Sequence, residues 1–94
     1  MMVLVKLPSV FACLAKDQKR IRLDVEEERQ LGAVLDLLAR SYPELREVAG
    51  LGLEEIPDHI NVYHNGENVR YLKGLNTMLH DGDTVQIIPA EAAG

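Results

Sequence analysis

The sequence predicts a small α+β domain in which a mixed sheet packs on one main helix. Three observations support this class: alternating apolar residues near both ends of the chain, one segment of helical spacing between them, and two turn signals in the second half. The length of 94 residues suits one domain with a single modest core. We therefore expect a domain over residues 1–89 and a flexible tail over residues 90–94.

Two strands are predicted in the first quarter of the chain. Apolar residues at every second position of Val3–Leu7 predict the first strand, which Pro8 ends. Charged and aliphatic residues alternate over Arg20–Val25, which predicts a second strand with one face in solvent. The intervening Ser9–Lys19 is long for a tight hairpin, so we expect an exposed and mobile loop.

An amphipathic helix is predicted over Gln30–Tyr42, and Pro43 ends it. The apolar residues that recur at helical spacing are Leu31, Val34, Leu35, Leu38 and Tyr42. The acidic triplet Glu26–Glu28 lies at the helix start, where the helix dipole favours negative charge, although a docking site is the alternative. After Pro43 a short second helix is an open possibility, formed by Leu45, Val48, Ala49 and Leu53.

Strand signals return after Pro57. Ile60–His64 leads into Asn65-Gly66, whose residues tolerate the positive φ angles of a type I′ hairpin, so Asn68–Tyr71 should be the returning strand. Asp81-Gly82-Asp83 predicts a second tight turn. The final strand, Thr84–Ile88, has apolar residues on both faces, which suits a central position beside the first strand. This element order predicts a β-grasp fold.

Composition excludes several classes of function. The net charge of −5 argues against nucleic acid or an anionic membrane as a partner, because either would require a basic surface. No apolar run approaches the ~18 residues of a membrane span, and the first residues lack the blocks of a signal peptide. The single cysteine, Cys13, fits a reducing compartment. We expect a cytoplasmic location.

Catalytic motifs are missing from the sequence. The three histidines, His59, His64 and His80, lack the local spacing of a metal site. No glycine-rich loop with lysine and serine is present to hold phosphates. We therefore expect a protein that is not an enzyme by itself and that binds no metal or cofactor.

The last six residues, Pro89, Ala90, Glu91, Ala92, Ala93 and Gly94, form a tail of small residues. Pro89 cannot donate a ladder hydrogen bond, so the strand should end near it. Glycine at the tip would fit a narrow channel, which suits delivery of a carboxylate into another protein's active site. A frayed terminus is the alternative.

The sequence resembles the ThiS/MoaD family of ubiquitin-like sulfur carriers. The resemblance is carried by the stretches Ile60–Arg70 and Leu75–Ala90 and by the helix segment Gln30–Leu35 with Tyr42-Pro43. The resemblance covers essentially the whole chain. It implies a β-grasp protein whose terminal Gly94 carries sulfur as a thiocarboxylate. A ubiquitin-activating-type adenylyltransferase would use ATP to adenylate Gly94, and a persulfide would then displace AMP.

The resemblance implies a second partner, a synthase that accepts the sulfur. The acceptor could be a cysteine synthase-like enzyme or the large subunit of a molybdopterin synthase, in which case this chain would be the small subunit. A β-grasp interaction module with an inert tail is the rival interpretation. Tails of the family usually end in Gly-Gly, whereas this chain has Ala93-Gly94. The partner could tolerate alanine, a further residue could follow, or the carrier could have lost acyl transfer.

The surface of the sheet away from the helix is the predicted docking face. Exposed aromatic and aliphatic side chains anchor interfaces more often than charges do. The residues chosen on this basis are Leu4, Tyr63, Tyr71 and Ile88. A simple cross-strand pair of Tyr63 and Tyr71 is the alternative.

Overall fold

The computed structural model describes residues 1–26, 29–51 and 55–90. Helices and strands within these residues follow in the order β1 (Met2–Lys6), α1 (Ser9–Ala12), β2 (Arg20–Asp24), β3 (Arg29–Gln30), α2 (Leu31–Ser41), α3 (Pro43–Ala49), β4 (Ile60–His64), β5 (Glu67–Asn68), β6 (Met78–Leu79) and β7 (Thr84–Pro89). Two 3₁₀ turns, Val69–Tyr71 and Gly74–Asn76, lie between β5 and β6.

The strands form one mixed sheet in the order β2-β1-β7-β4-β5. The parallel pair is β1 with β7, and the neighbouring pairs are antiparallel. The final strand therefore lies at the centre beside the first, as the sequence predicts. A small second sheet pairs β3 with β6. With α2 as the main helix, this arrangement is the predicted α+β β-grasp fold.

The core lies between α2 and one face of the sheet. Strand residues at every second position are buried, so β1 contributes Val3 and Val5 and β7 contributes Val85 and Ile87. The buried residues of α2 are Leu31, Val34, Leu35, Leu38 and Ala39. Full burial of each larger aliphatic side chain stabilises the fold by about 1.5–3 kcal/mol relative to exposure. Both the period-2 and the helical patterns in the sequence thus point to the same core.

The two predicted turns have the expected backbone geometry. Asn65 has a φ of 49° and Gly66 a φ of 90°, which are the positive values that a type I′ hairpin requires. Gly82, in the turn before β7, has a φ of 87°. The Asn65-Gly66 turn fixes the register of the β4–β5 hairpin.

The prediction of an exposed, mobile loop over Ser9–Lys19 is wrong for its first half. Residues Ser9–Ala12 form α1, and Phe11, Ala12 and Ala15 are buried in the core. The apolar residues of this segment belong to the hydrophobic core, so tertiary burial outweighs the absence of a long helical pattern.

The prediction of a returning strand over Asn68–Tyr71 is also wrong beyond its first residue. Strand β5 ends at Asn68, and a 3₁₀ turn follows. The Asn68 side-chain oxygen accepts a hydrogen bond from the Arg70 N–H at 2.9 Å. This local bond gives the backbone an alternative to the ladder, so the chain turns away from the sheet.

The helical region is largely as predicted. Helix α2 begins at Leu31, one residue later than expected, and β3 separates it from Glu26, so that residue is not in its first turn. Glu27 and Glu28 lie outside the described residues. The short second helix exists as α3, where Leu45 and Ala49 are buried but Val48 is 67% exposed. Leu53 lies outside the described residues.

Candidate functional site

The end of β7 is where the predicted tail begins. Pro89 is the last residue of the strand and pairs with Ile60 of β4. Beyond it, the Ala90 N–H donates a hydrogen bond to the His59 carbonyl at 2.9 Å. The remaining tail residues, Glu91, Ala92, Ala93 and Gly94, lie outside the described residues. The strand thus ends at the predicted proline, and the division at residue 89 stays a prediction.

The second face of the large sheet, which we call the open face, carries the strand residues that alternate with the core positions. One row across it runs through directly opposed residues: Arg20 in β2, Lys6 in β1, Gln86 in β7, Tyr63 in β4 and Asn68 in β5. These side chains are half-buried or exposed, in contrast to the fully buried residues on the core side. The open face is therefore available for contact with another molecule.

Three of the four predicted interface residues lie on the open face. Ile88 of β7 opposes Asn61, and Tyr63 opposes Gln86, so Tyr63 and Ile88 are diagonal neighbours on adjacent strands. Leu4 of β1 opposes Thr84 at the other end of the face. All three predicted residues are half-buried.

The structure places the fourth predicted residue, Tyr71, elsewhere. It belongs to the 3₁₀ turn after β5 and is 87% exposed. The alternative of a cross-strand pair with Tyr63 is wrong, because Tyr63 opposes Asn68. Tyr71 lies outside the sheet because β5 ends early. Its role in an interface stays a prediction.

Sequence reasoning missed a group of cations on the open face. Lys6 lies directly opposite Arg20, and Arg22 lies opposite Leu4. Arg20 and Arg22 are exposed, and Lys6 is half-buried. The alternation of charged and aliphatic residues in β2 already indicated that its arginines face solvent. What the sequence did not indicate was which residue of β1 stands beside them.

The turn before β7 contains the main polar cluster of the described residues. The Asp83 carboxylate accepts hydrogen bonds from His64 Nε2 at 2.6 Å, from Asn65 Nδ2 at 3.1 Å and from the His80 N–H at 2.9 Å. Burial by itself would raise the pKa of Asp83, but these bonds outweigh it and hold the pKa below its ordinary value of 3.8. The cluster fixes the two turns relative to each other, and it lies at the opposite end of β7 from the tail.

The described residues contain neither a cluster suited to a metal ion nor a helix that could cross a membrane. Within residues 1–26, 29–51 and 55–90, no group of three or more His, Cys, Asp or Glu side chains could hold a metal ion. Within those ranges, too, no helix has the length and apolar character needed to cross a bilayer.

Comparison with known proteins identifies relatives along the whole chain. The family model described as the ThiS family matches residues 5–94. A small archaeal modifier protein 3 from Haloferax volcanii is 39% identical over 79 residues, which cover 82% of this chain and 83% of the relative. The sulfur carrier protein CysO of Mycobacterium tuberculosis is 32% identical over 96 residues and covers all of both chains.

A solved structure has the same fold as this chain. The chain superposes on a protein in the crystal structure of the Amycolatopsis orientalis BexX/CysO complex with a TM-score of 0.78 and 27% identity, covering 93% of each chain. The chain therefore has the β-grasp architecture of ubiquitin-like proteins. The named relatives are carriers and modifiers rather than catalysts.

Proposed function

Because this chain belongs to the ThiS family of ubiquitin-like sulfur carriers, we propose that Gly94 carries the sulfur as a thiocarboxylate. The observation that supports this is the exit of β7. The central strand ends at Pro89, and the last described hydrogen bond joins Ala90 to His59. Four residues follow Ala90, and a chain of that length spans at most roughly 13–14 Å. This reach suits insertion of the carboxylate into a partner's active site.

Activation of Gly94 and transfer of sulfur to it would both require partner enzymes. A terminal carboxylate has a pKa near ~3.5, so it is anionic and a poor electrophile at neutral pH. A ubiquitin-activating-type adenylyltransferase would join a Gly94 oxygen to the α-phosphorus of ATP and release pyrophosphate. A persulfide sulfur would then attack the acyl carbon and expel AMP. A thiol would finally cleave the S–S bond, which leaves the thiocarboxylate on Gly94 and a disulfide on the donor.

The relatives favour cysteine biosynthesis as the use of the sulfur. The proteins named CysO align with this chain from end to end at 32% identity. A cysteine synthase-like enzyme is therefore our preferred acceptor, ahead of the large subunit of molybdopterin synthase. Both acceptors would take the sulfur from the thiocarboxylate of Gly94.

Intact-mass spectrometry tests the proposal. Incubation with Mg-ATP, the cell's own adenylyltransferase and a sulfur donor should raise the mass by ~16 Da, the exchange of oxygen for sulfur. Deletion of Gly94 should abolish the change, whereas Ala93→Gly should retain or accelerate it because alanine narrows the allowed backbone angles. No change in the mass of the wild-type chain would refute the carrier function and would leave an interaction module with an inert tail.

A second use of the same adenylate is supported by the relative from H. volcanii, which is named a small modifier protein. Attack by a lysine amine in place of sulfur would join Gly94 to another protein through an amide bond, with release of AMP. Such conjugates would survive thiols and appear as adducts larger by the mass of this chain. Their formation with no ~16 Da product would favour modification over sulfur transfer.

A further inference from the structure

Two cations face each other across the edge of the open face. Lys6 of β1 and Arg20 of β2 are directly opposed, and Arg22 is the diagonal neighbour of Lys6 on the same face. Like charges in directly opposed strand positions destabilise a sheet. We call Lys6, Arg20 and Arg22 the basic patch. Its arrangement does not serve the stability of the fold.

The basic patch is not neutralised within the part of the chain that the structure describes. No ion pair there involves any of its three residues, although elsewhere Asp36 pairs with both Arg40 and Arg46. On β2 the next residue of this face is the acidic Asp24, which lies at the far corner opposite Met2. The patch is therefore a local positive surface on a chain whose net charge is −5.

The patch is close to the exit of the tail. Strands β1 and β7 run parallel, and Lys6 is opposite Gln86, three residues before Pro89. At about 3.3 Å per strand residue, this separation is roughly 10 Å along β7. A protein that receives the tail thus lies within reach of the patch, across a surface that also carries Tyr63 and Ile88.

We propose that the basic patch binds carboxylates on the adenylyltransferase that activates Gly94, and so selects this partner. The proposal rests on the proposed function, because it assigns the recognition surface for the same reaction. A protein partner is favoured over a polyanion because the rest of the chain is acidic and would be repelled by nucleic acid or an anionic membrane. Apolar contact at Tyr63 and Ile88 would supply affinity, and the patch would supply orientation and specificity.

The expected kinetic signature follows from the exposure of these charges. Charges at the edge of an interface act mainly on the association rate and its dependence on salt. The effect can be measured as the KM for the carrier in ATP–pyrophosphate exchange, with the adenylyltransferase taken from the same organism as this chain. Arg20→Glu/Arg22→Glu should raise the KM for the carrier about tenfold or more at low salt and leave kcat unchanged. The wild-type KM should rise steeply with added salt, and that of the variant should not.

A matched control separates local from total charge. Lys16 and Lys73 are exposed and lie outside the strands, so Lys16→Glu/Lys73→Glu makes the same change in net charge without altering a strand residue. This control should keep the wild-type KM.

Arg20→Glu by itself should also raise the melting temperature, since it replaces a repulsive pair with Lys6 by an attractive one. A loss of partner affinity with a gain in stability would not result from a structural defect.

The outcomes separate this proposal from the proposed function. If the wild-type chain supports no exchange and gains no sulfur, the proposed function fails, and this proposal fails with it. If the wild-type chain is active but both double variants have the same KM, only the basic patch is refuted. Binding of the wild-type chain to a 20-nucleotide single strand or to phosphatidylserine vesicles at 150 mM salt, lost in Arg20→Glu/Arg22→Glu without a change in KM, would assign the patch to a polyanion instead.

Discussion

The carboxylate of Asp83 lies 2.6 Å from Nε2 of His64 and joins the end of β4 to the turn before β7. The same turn also holds β1, because the Leu4 N–H donates to the Asp83 carbonyl at 3.0 Å. Asp81 contributes a third connection, accepting a hydrogen bond from the Met2 N–H at 2.7 Å. One short turn thus fixes three neighbouring strands at the end of the sheet opposite the tail.

Removal of the Asp83 carboxylate should destabilise the protein. Asp83→Ala leaves His64 and Asn65 without their acceptor, and the expected loss in the free energy of unfolding is about 1–3 kcal/mol. Urea denaturation at pH 7 measures it. Asp58→Ala, at an exposed position outside the strands, is the control and should cost less than about 0.5 kcal/mol. Equal costs for the two variants would contradict the role given to Asp83.

The pH dependence of stability has a sign that follows from the lowered pKa of Asp83. The pKa in the folded protein lies below the ordinary 3.8, so the unfolded chain binds more protons in the interval between the two values. The stabilisation from Asp83 is therefore complete above that ordinary value and is lost as the pH falls through the folded pKa. Asp83→Asn should be less stable than wild type at pH 7, and the difference should shrink below pH ~4. A constant difference from pH 7 to pH 2 would disprove this.

Adjacent residues of β7 should respond in opposite ways to the same substitution. Ile87 is fully buried in the core, whereas Ile88 lies on the open face. Ile87→Asp should prevent folding because it buries an unpaired charge, at a cost above about 4 kcal/mol. Ile88→Asp should remain folded by circular dichroism and lose affinity for the adenylyltransferase. Folding with unaltered affinity in Ile88→Asp would remove this residue from the interface.

The same contrast applies on β4, where Val62 is fully buried and Tyr63 is half-buried on the open face. Tyr63→Asp should weaken binding of the adenylyltransferase in calorimetric titration and leave the fold intact. Unfolding of Tyr63→Asp would show that this side chain serves the core instead.

The guanidinium of Arg70 should stabilise the approach to β4. It donates hydrogen bonds to the carbonyls of Pro57 at 2.7 Å and Ile60 at 2.8 Å. Arg70→Ala should lower the free energy of unfolding by about 1–2 kcal/mol, and Arg70→Lys should recover part of this because an ammonium can still donate. Lys73→Ala, at an exposed position nearby in sequence, is the control. The idea is wrong if Arg70→Ala and Lys73→Ala have the same denaturation midpoint.

Close packing between α2 and the second 3₁₀ turn gives a further test. A Cβ atom at Gly32 would lie 3.3 Å from Cβ of Leu75 and 3.4 Å from its carbonyl oxygen. Gly32→Val should therefore cost about 1–3 kcal/mol through overpacking. The double variant with Leu75→Gly should lose less than the sum of the single losses, because glycine removes the Leu75 Cβ, which is the nearest contact. Strict additivity in thermal denaturation would show that the two residues are not in contact.

Local sequence patterns predict much of the fold. The hairpin at Asn65-Gly66 was predictable because both residues tolerate positive φ, and helix α2 was predictable because its apolar residues repeat at helical spacing. One error arose where non-local burial decides the local structure, and the other where a side chain bonds the nearby backbone. Helix α1 exists because Phe11 and Ala12 are buried, and β5 ends early because the Asn68 side chain bonds the backbone of Arg70.

The candidate site, too, was predictable from the sequence in some parts and not in others. The sequence by itself determined the terminal strand, its end at Pro89 and the family to which the tail points, because turns, proline and alternation act over a few residues. Only the tertiary structure decided which side chains share the open face. It set Lys6 opposite Arg20, since strand pairing brings together residues far apart in the chain. It also showed that Tyr71 lies in a 3₁₀ turn outside the sheet.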